Sequence, residues 1–114
     1  MTKYEREKQN MNKVIRDGMV AVLISPGFGA GWSTWANEHA ESLMFDPTIV
    51  DAIENNLPFE EVEDYLQEKY PDEYFGGYDQ LVVYGIPEKT KFRITEYDGS
   101  EDIMFADEDI WVVA

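Results

Sequence analysis

Residues 25–35 read SPGFGAGWSTW and follow directly on the apolar run MVAVLI at 19–24. Gly27, Gly29 and Gly31 alternate with other residues, and glycine permits both positive φ and close backbone approach. A strand that enters such a loop, with Ser33 or Thr34 ready to start a helix, aims backbone N–H groups at one point, which suits an anion. Trp32, with Phe28 and Trp35 near it, offers flat faces to a base or another planar group. Ser33 and Thr34 add hydroxyl donors. The spacing is GxGxG, with tryptophan at 32. It is neither the dinucleotide GxGxxG nor a P-loop, which requires Gly-Lys-Ser/Thr. The competing reading is a tight strand-to-helix corner whose tryptophans anchor it in the core.

Other residues that could do chemistry are few. Lys89, Lys91 and Arg93 form the one basic cluster of the folded body. Arg93, if it lies beside the glycine corner, completes a candidate site for a phosphate or carboxylate with Gly27, Phe28, Gly29, Gly31, Trp32, Ser33 and Thr34. His39 is the single histidine. Glu38 and Glu41 flank it, but no nucleophile or metal ligand stands at a recognised spacing, so it reads as a packing residue. There is no cysteine, which excludes disulfides, thiolate catalysis and cysteine-bound metals. No catalytic residue, cofactor or metal is therefore assigned.

The acids are the other feature. Against 9 bases stand 24 acids, for a net charge of −15. Such a balance disfavours direct nucleic-acid binding and anionic membranes, and favours a basic partner surface. Residues 54–73 hold eight acids and one base, and residues 96–109 hold seven acids and no base. Glu60, Glu61, Glu63 and Asp64 in the first stretch, with Glu101 and Asp102 in the second, are the candidate partner-binding residues. Arrayed on one face, they could mimic a row of DNA phosphates. Simple solvation of acidic helix faces is the competing reading. Glu96 falls opposite Glu101 in the expected hairpin register. That juxtaposition is unfavourable and implies a splayed, solvated hairpin end.

The elements that must position these residues follow from periodicity. With 44% hydrophobic and 14% aromatic residues in 114, the chain has material for one ordinary core. Residues 1–17 read as a flexible basic arm that enters the fold near Val14 and Ile15, and 18–114 as a single domain. The arm's charge would let it lie against the acidic body or a neighbouring subunit. MVAVLIS is a continuous β-branched run, the pattern of a strand buried on both faces. Helices are expected over Trp35–Met44, after Asp46-Pro47, and through LPFEEVEDYLQEKY. Strands follow at 80–86, at 91–97, after the Asp98-Gly99 turn, and at 109–114. The turn's register pairs Ile94 with Ile103 and Phe92 with Phe105. The expectation is an α+β fold: a mixed or mostly antiparallel sheet of about five strands, with about three helices packed on one side. The longest apolar run is far too short to cross a bilayer. The N-terminus carries no apolar signal region, so a cytoplasmic location is expected.

Taken together, VAVLISPGFGAGWSTW, MFDPTIVDAIE and GIPEKTKFRITEYDGSEDI resemble a family of small acidic proteins of tailed bacteriophages and prophages. The likeness covers nearly all of Met19–Ala114. It carries over no functional residue; it implies a setting, an accessory protein acting in the cytoplasm of a bacterial host. The expected function is a non-enzymatic binding protein. Through its acidic surface it would inhibit a host defence or nucleic-acid enzyme, with DNA mimicry as the means. The alternative is a small-molecule binder that sequesters an anionic, cyclic nucleotide at the glycine–tryptophan corner.

Overall fold

A computed structural model describes residues 13–105. The fold is α+β, with five antiparallel strands in two sheets rather than the single sheet expected. Strands β1 (Ile15–Arg16), β2 (Met19–Ile24) and β3 (Val82–Pro87) form one sheet with β2 in the middle. Strands β4 (Phe92–Tyr97) and β5 (Ser100–Phe105) form a separate hairpin. Its register is the one the turn dictates: Phe92 faces Phe105, Ile94 faces Ile103 and Glu96 faces Glu101. Asp-Gly closes both β-hairpins. Asp17 and Gly18 have φ of +53° and +76°, and Asp98 and Gly99 have +51° and +83°, the two positive values of a type I′ turn. The first of these turns brings Ile15–Arg16, assigned from sequence to the arm, into the sheet beside β2. The rest of that arm, and the strand expected at 109–114, lie outside the described residues.

Strand β2 is buried on both faces, as its unbroken apolar run implies. Ala21 and Leu23 point to one side, where Trp32, Leu43, Ile49, Val50 and Leu66 bury them under the helices. Val22 and Ile24 point to the other, against Phe45 and Ile86, with Phe92, Ile94, Ile103 and Phe105 of the hairpin packed alongside. The hairpin thus covers the face that the helices leave open, and period-two alternation along β2 decides which side chain meets which layer.

The helical layer departs from expectation at its start. Ser33–Trp35 is a 3-10 turn, Ala36 is extended, and helix α1 spans only Ala40–Phe45. The chain breaks there because the Glu73 carboxylate takes the N–H groups that a continuous helix would have used. Asn37 N donates to it at 2.8 Å and His39 N at 3.0 Å, with His39 Nδ1 3.2 Å away. Glu73 arrives from the loop after the last helix, and its side chain is buried. Helix α2 (Pro47–Glu54) begins as Asp46-Pro47 signals, with Asp46 Oδ1 accepting from Ile49 N at 3.0 Å. The expected third helix divides into a 3-10 turn, Phe59–Glu61, and α3 (Glu63–Lys69). Asp46 is fully buried, and Tyr65, Lys69 and Tyr70 of this last segment all reach its carboxylate. Burial and the adjacent Asp46 charge push the Tyr70 phenol far above its ordinary range.

Two outcomes follow. Both turn glycines have positive φ, so an added Cβ should cost roughly 1–2 kcal/mol at either. At Gly18 nothing lies within 4 Å of that atom, whereas at Gly99 it would stand 2.4 Å from Ala30 N. Gly99→Ala should therefore lower denaturant-measured stability clearly more than Gly18→Ala. Equal losses would show that the hairpin tip is not pressed on the corner. For Glu73, burial opposes ionisation, but the N–H groups of Asn37 and His39 outweigh it and hold the carboxyl below its ordinary 4.5. A depressed folded value contributes stability above pH 4.5 that is lost as pH falls through it. Glu73→Gln should accordingly show a shallower acid limb than wild type in stability measured against pH.

Candidate functional site

The glycine corner is an anion cradle, and its anion is the protein's own. Glu101 is 2% exposed. Its Oε1 accepts from Ser25 N at 2.9 Å. Its Oε2 accepts from Trp32 N at 2.7 Å, Thr34 N at 3.0 Å and Thr34 Oγ1 at 2.5 Å. Glu101 N in turn donates to Ser25 O at 2.8 Å. Among the described residues no base forms an ion pair with this carboxylate. Three N–H groups and a hydroxyl, charge-assisted and out of water, hold it instead.

The loop is shaped around that contact. Only Gly29 of its three glycines has positive φ, +108°. Gly29 N donates to Asp98 O at 2.8 Å, so the hairpin turn is bonded to the corner backbone. Ser100 Oγ donates to Pro26 O, and Ser25 Oγ to Ala30 O. Glu96, opposite Glu101, accepts from Trp35 Nε1 at 3.0 Å and Gly99 N at 2.7 Å. The like charges across the ladder are thus each held by separate donors. This corrects the splayed end expected from sequence: the ladder stays paired to the turn, Glu101 is buried, and Glu96, Tyr97 and Asp98 are exposed.

Glu101 itself is a second correction. Expected on an outward acidic surface, it lies inside, where no partner can reach it. The signal was present in the sequence. Glu101, Ile103 and Phe105 alternate on one face of β5, so the register that turns the apolar pair inward turns Glu101 inward too. Asp102, one residue on, is exposed. Glu60, Glu61 and Asp64 are exposed around the start of α3, and Glu63 is half-buried with its carboxylate on Gln67 Nε2.

Of the two tryptophans, one is an anchor in the core and the other remains accessible. Trp32 is fully buried, its Nε1 donating to Leu43 O at 2.8 Å and its ring against Phe75 and Tyr78. Trp35 is 38% exposed and stacks on Tyr74, centroids 6.0 Å apart and planes 25° apart. With Phe28, Gly29, Glu96, Tyr97 and Asp98 it lines an open groove of about 760 Å³. Ser33 is buried behind the corner and contributes nothing to the groove. Arg93 lines a different groove with Lys13, Lys91 and Phe45, one that no corner residue reaches. The site imagined from Arg93 and the glycines together is therefore two separate places. An anion at the corner would have to displace Glu101 from the amides.

What remains accessible at the corner is aromatic and acidic. Phe28 and Tyr97 are 70% and 75% exposed, and Tyr74 projects beside Trp35. Tyr74 also lines the next groove, with Glu60 and Asp79 at its edge. Tyr74 and Tyr97 escaped the sequence reading. The outward phase of β4, set by Phe92 and Ile94 pointing inward, marks Tyr97 as exposed. Nothing local marks Tyr74. Among the described residues no group of histidine, aspartate and glutamate is arranged to hold a metal ion.

Removing the carboxylate should show how much the cradle supports. Each buried N–H left without an acceptor costs roughly 1–3 kcal/mol. Glu101→Ala strands three, so denaturant unfolding should register a loss of about 3 kcal/mol or more. Glu101→Gln, which turns an NH₂ toward backbone donors, should lose about 1.5–3 kcal/mol. Asp102→Ala next door should stay within about 0.5 kcal/mol of wild type. Matching losses at 101 and 102 would reduce the clasp to an incidental contact.

No family model, curated protein or solved structure matches the chain, which leaves the geometry of the corner as the ground for assigning a function.

Proposed function

We propose that the protein is a non-catalytic binding protein whose acid-rimmed aromatic face at the glycine corner receives a basic segment of a protein partner. The observation that carries this reading is the groove of Phe28, Trp35 and Tyr97 beside Glu96 and Asp98, in a chain of net charge −15. Large aromatic side chains left in water around a concavity mark contact sites. Aromatic faces next to carboxylates fit guanidinium and ammonium groups, which gain from the ring quadrupole and the negative charge together. The Trp35–Tyr74 stack extends the aromatic face toward the neighbouring groove that Tyr74, Glu60 and Asp79 line.

Two further facts favour a partner over a captured nucleotide. The corner amides are spent on Glu101, and the groove presents acids where an anion would need donors. Surfaces rich in arginine and lysine are what nucleic-acid enzymes present to their substrates. In the phage–host setting that the sequence resemblance implies, the binding would serve to block such an enzyme.

An arginine-rich nonapeptide provides the probe, titrated by tryptophan fluorescence and by amide chemical shifts. Phe28→Ala and Tyr97→Ala should each weaken binding by roughly tenfold, the loss of one central aromatic contact. Their melting temperatures should stay at the wild-type value, because both side chains are exposed. Shifts should centre on 28–35 and 96–98. Binding that ignores these substitutions and follows only the neutralisation of Glu60, Glu61, Glu63 and Asp64 would move the contact to the acidic helix and remove this assignment.

A further inference from the structure

Positive charge is scarce in this chain, and half of what the described residues carry converges on one place. Residues 13–105 contain six bases: Lys13, Arg16, Lys69, Lys89, Lys91 and Arg93. Arg16 pairs with Glu54, and Lys69 with Asp46. Lys13, Lys91 and Arg93 instead line a single groove of about 640 Å³ between α1 and the start of β4. Among the described residues its one acid is Glu41, so three cations less one carboxylate leave a surplus of two positive charges there. In a protein with acids so far in excess, cations ordinarily find carboxylates. These three form no ion pair among the described residues. Two of them rest on soft, apolar groups: Lys13 Nζ lies 4.7 Å above the Phe45 ring, and Arg93 Nη2 is 3.3 Å from Met104 Sδ. Phe45 and Phe92 meet edge to face, centroids 6.3 Å apart, and with Met44 they give the groove an apolar wall.

We infer that this groove is a binding site for a small amphiphilic anion, a phosphate or carboxylate carried on an apolar body. Cations that form no ion pair among the described residues, set around an aromatic wall, supply both halves of that recognition, charge-assisted hydrogen bonds for the head and buried area for the body. The volume lies in the range of small-molecule sites. A net charge of −15 repels nucleic acid and anionic membranes as wholes. A ligand of one or two charges responds to the local surplus instead, since fields beyond about 10 Å are screened at 0.1 M salt. The site is distinct from the aromatic face at the corner. The two grooves share no residue, and about five residues of β4, roughly 17 Å of strand, separate Arg93 from the hairpin turn.

Calorimetric titration with 1-naphthyl phosphate and with dodecyl phosphate below its micellar concentration tests the site and distinguishes an aromatic from an aliphatic body. At least one should bind saturably at one equivalent, with shifts at the amides of Met44, Thr90 and Phe92. Inorganic phosphate and 1-naphthol, each lacking one half of the chemistry, should bind much more weakly. Lys91→Ala with Arg93→Ala should reduce affinity by about tenfold or more, one charge-assisted contact being worth that much. Both side chains are exposed, so the melting temperature should hold. The inference fails if neither anion saturates by about 1 mM, a binding energy near −4 kcal/mol. It fails equally if 1-naphthol binds as tightly as its phosphate, or if the double variant binds like wild type.

Discussion

The clasp of Glu101 by the backbone of the glycine corner is the contact on which the two halves of this fold depend. Strands β4 and β5 are hydrogen-bonded to each other and not to the central sheet. What seats them is apolar packing on β2 and this one buried carboxylate, with the bonds from Gly29 to Asp98 and from Ser100 to Pro26 around it. A glycine loop between strand and helix leaves several N–H groups aimed at one point. Buried without an acceptor they would destabilise the fold. Glu101 answers them from 67 to 76 residues further along the chain. The corner and the hairpin are therefore incomplete without each other.

The same device recurs. Asp46 collects the first turn of α2, two tyrosines and a lysine; Glu73 collects the backbone of 37–39; Glu96 collects an indole and a turn amide. An excess of acids over bases denies most carboxylates an ion-pair partner. The ones drawn inside are satisfied by N–H and O–H donors. Such bonds to a charged acceptor are the stronger kind, and at Glu101 and Glu73 their geometry is fixed mainly by backbone N–H groups. The chain's acidity is in this sense partly structural and only partly a surface property.

The hairpin that these contacts hold has two chemically distinct ends. Its turn meets the corner and presents aromatic rings with carboxylates. Its open end meets α1 and presents Lys91 and Arg93 with aromatic and thioether neighbours. A short two-stranded ribbon thus separates a negative from a positive groove on one small domain.

Much of this was legible in the residues. The two-sided burial of β2, the start of α2 at Asp46-Pro47 and the register of the β4–β5 hairpin all rest on local patterns. These are continuous apolar runs, a capping pair with its proline, and a turn that requires positive φ. Asp17-Gly18 carried the same turn signal as Asp98-Gly99, and it folds the end of the expected arm into the sheet. The inward phase of Glu101 was written in its spacing from Ile103. What the sequence could not determine is which donors each carboxylate meets. Trp32 and Trp35 stand three residues apart in one loop, yet one is buried and the other exposed. Glu73 interrupts a helix more than thirty residues before it. Arg93 and the corner, joined by plausible chemistry, face different grooves. Local periodicity fixes the face on which a side chain stands. Only the packing of two sheets and a helical layer decides what lies across from it, because a buried polar group is placed by the partner that satisfies it, and that partner comes from distant chain.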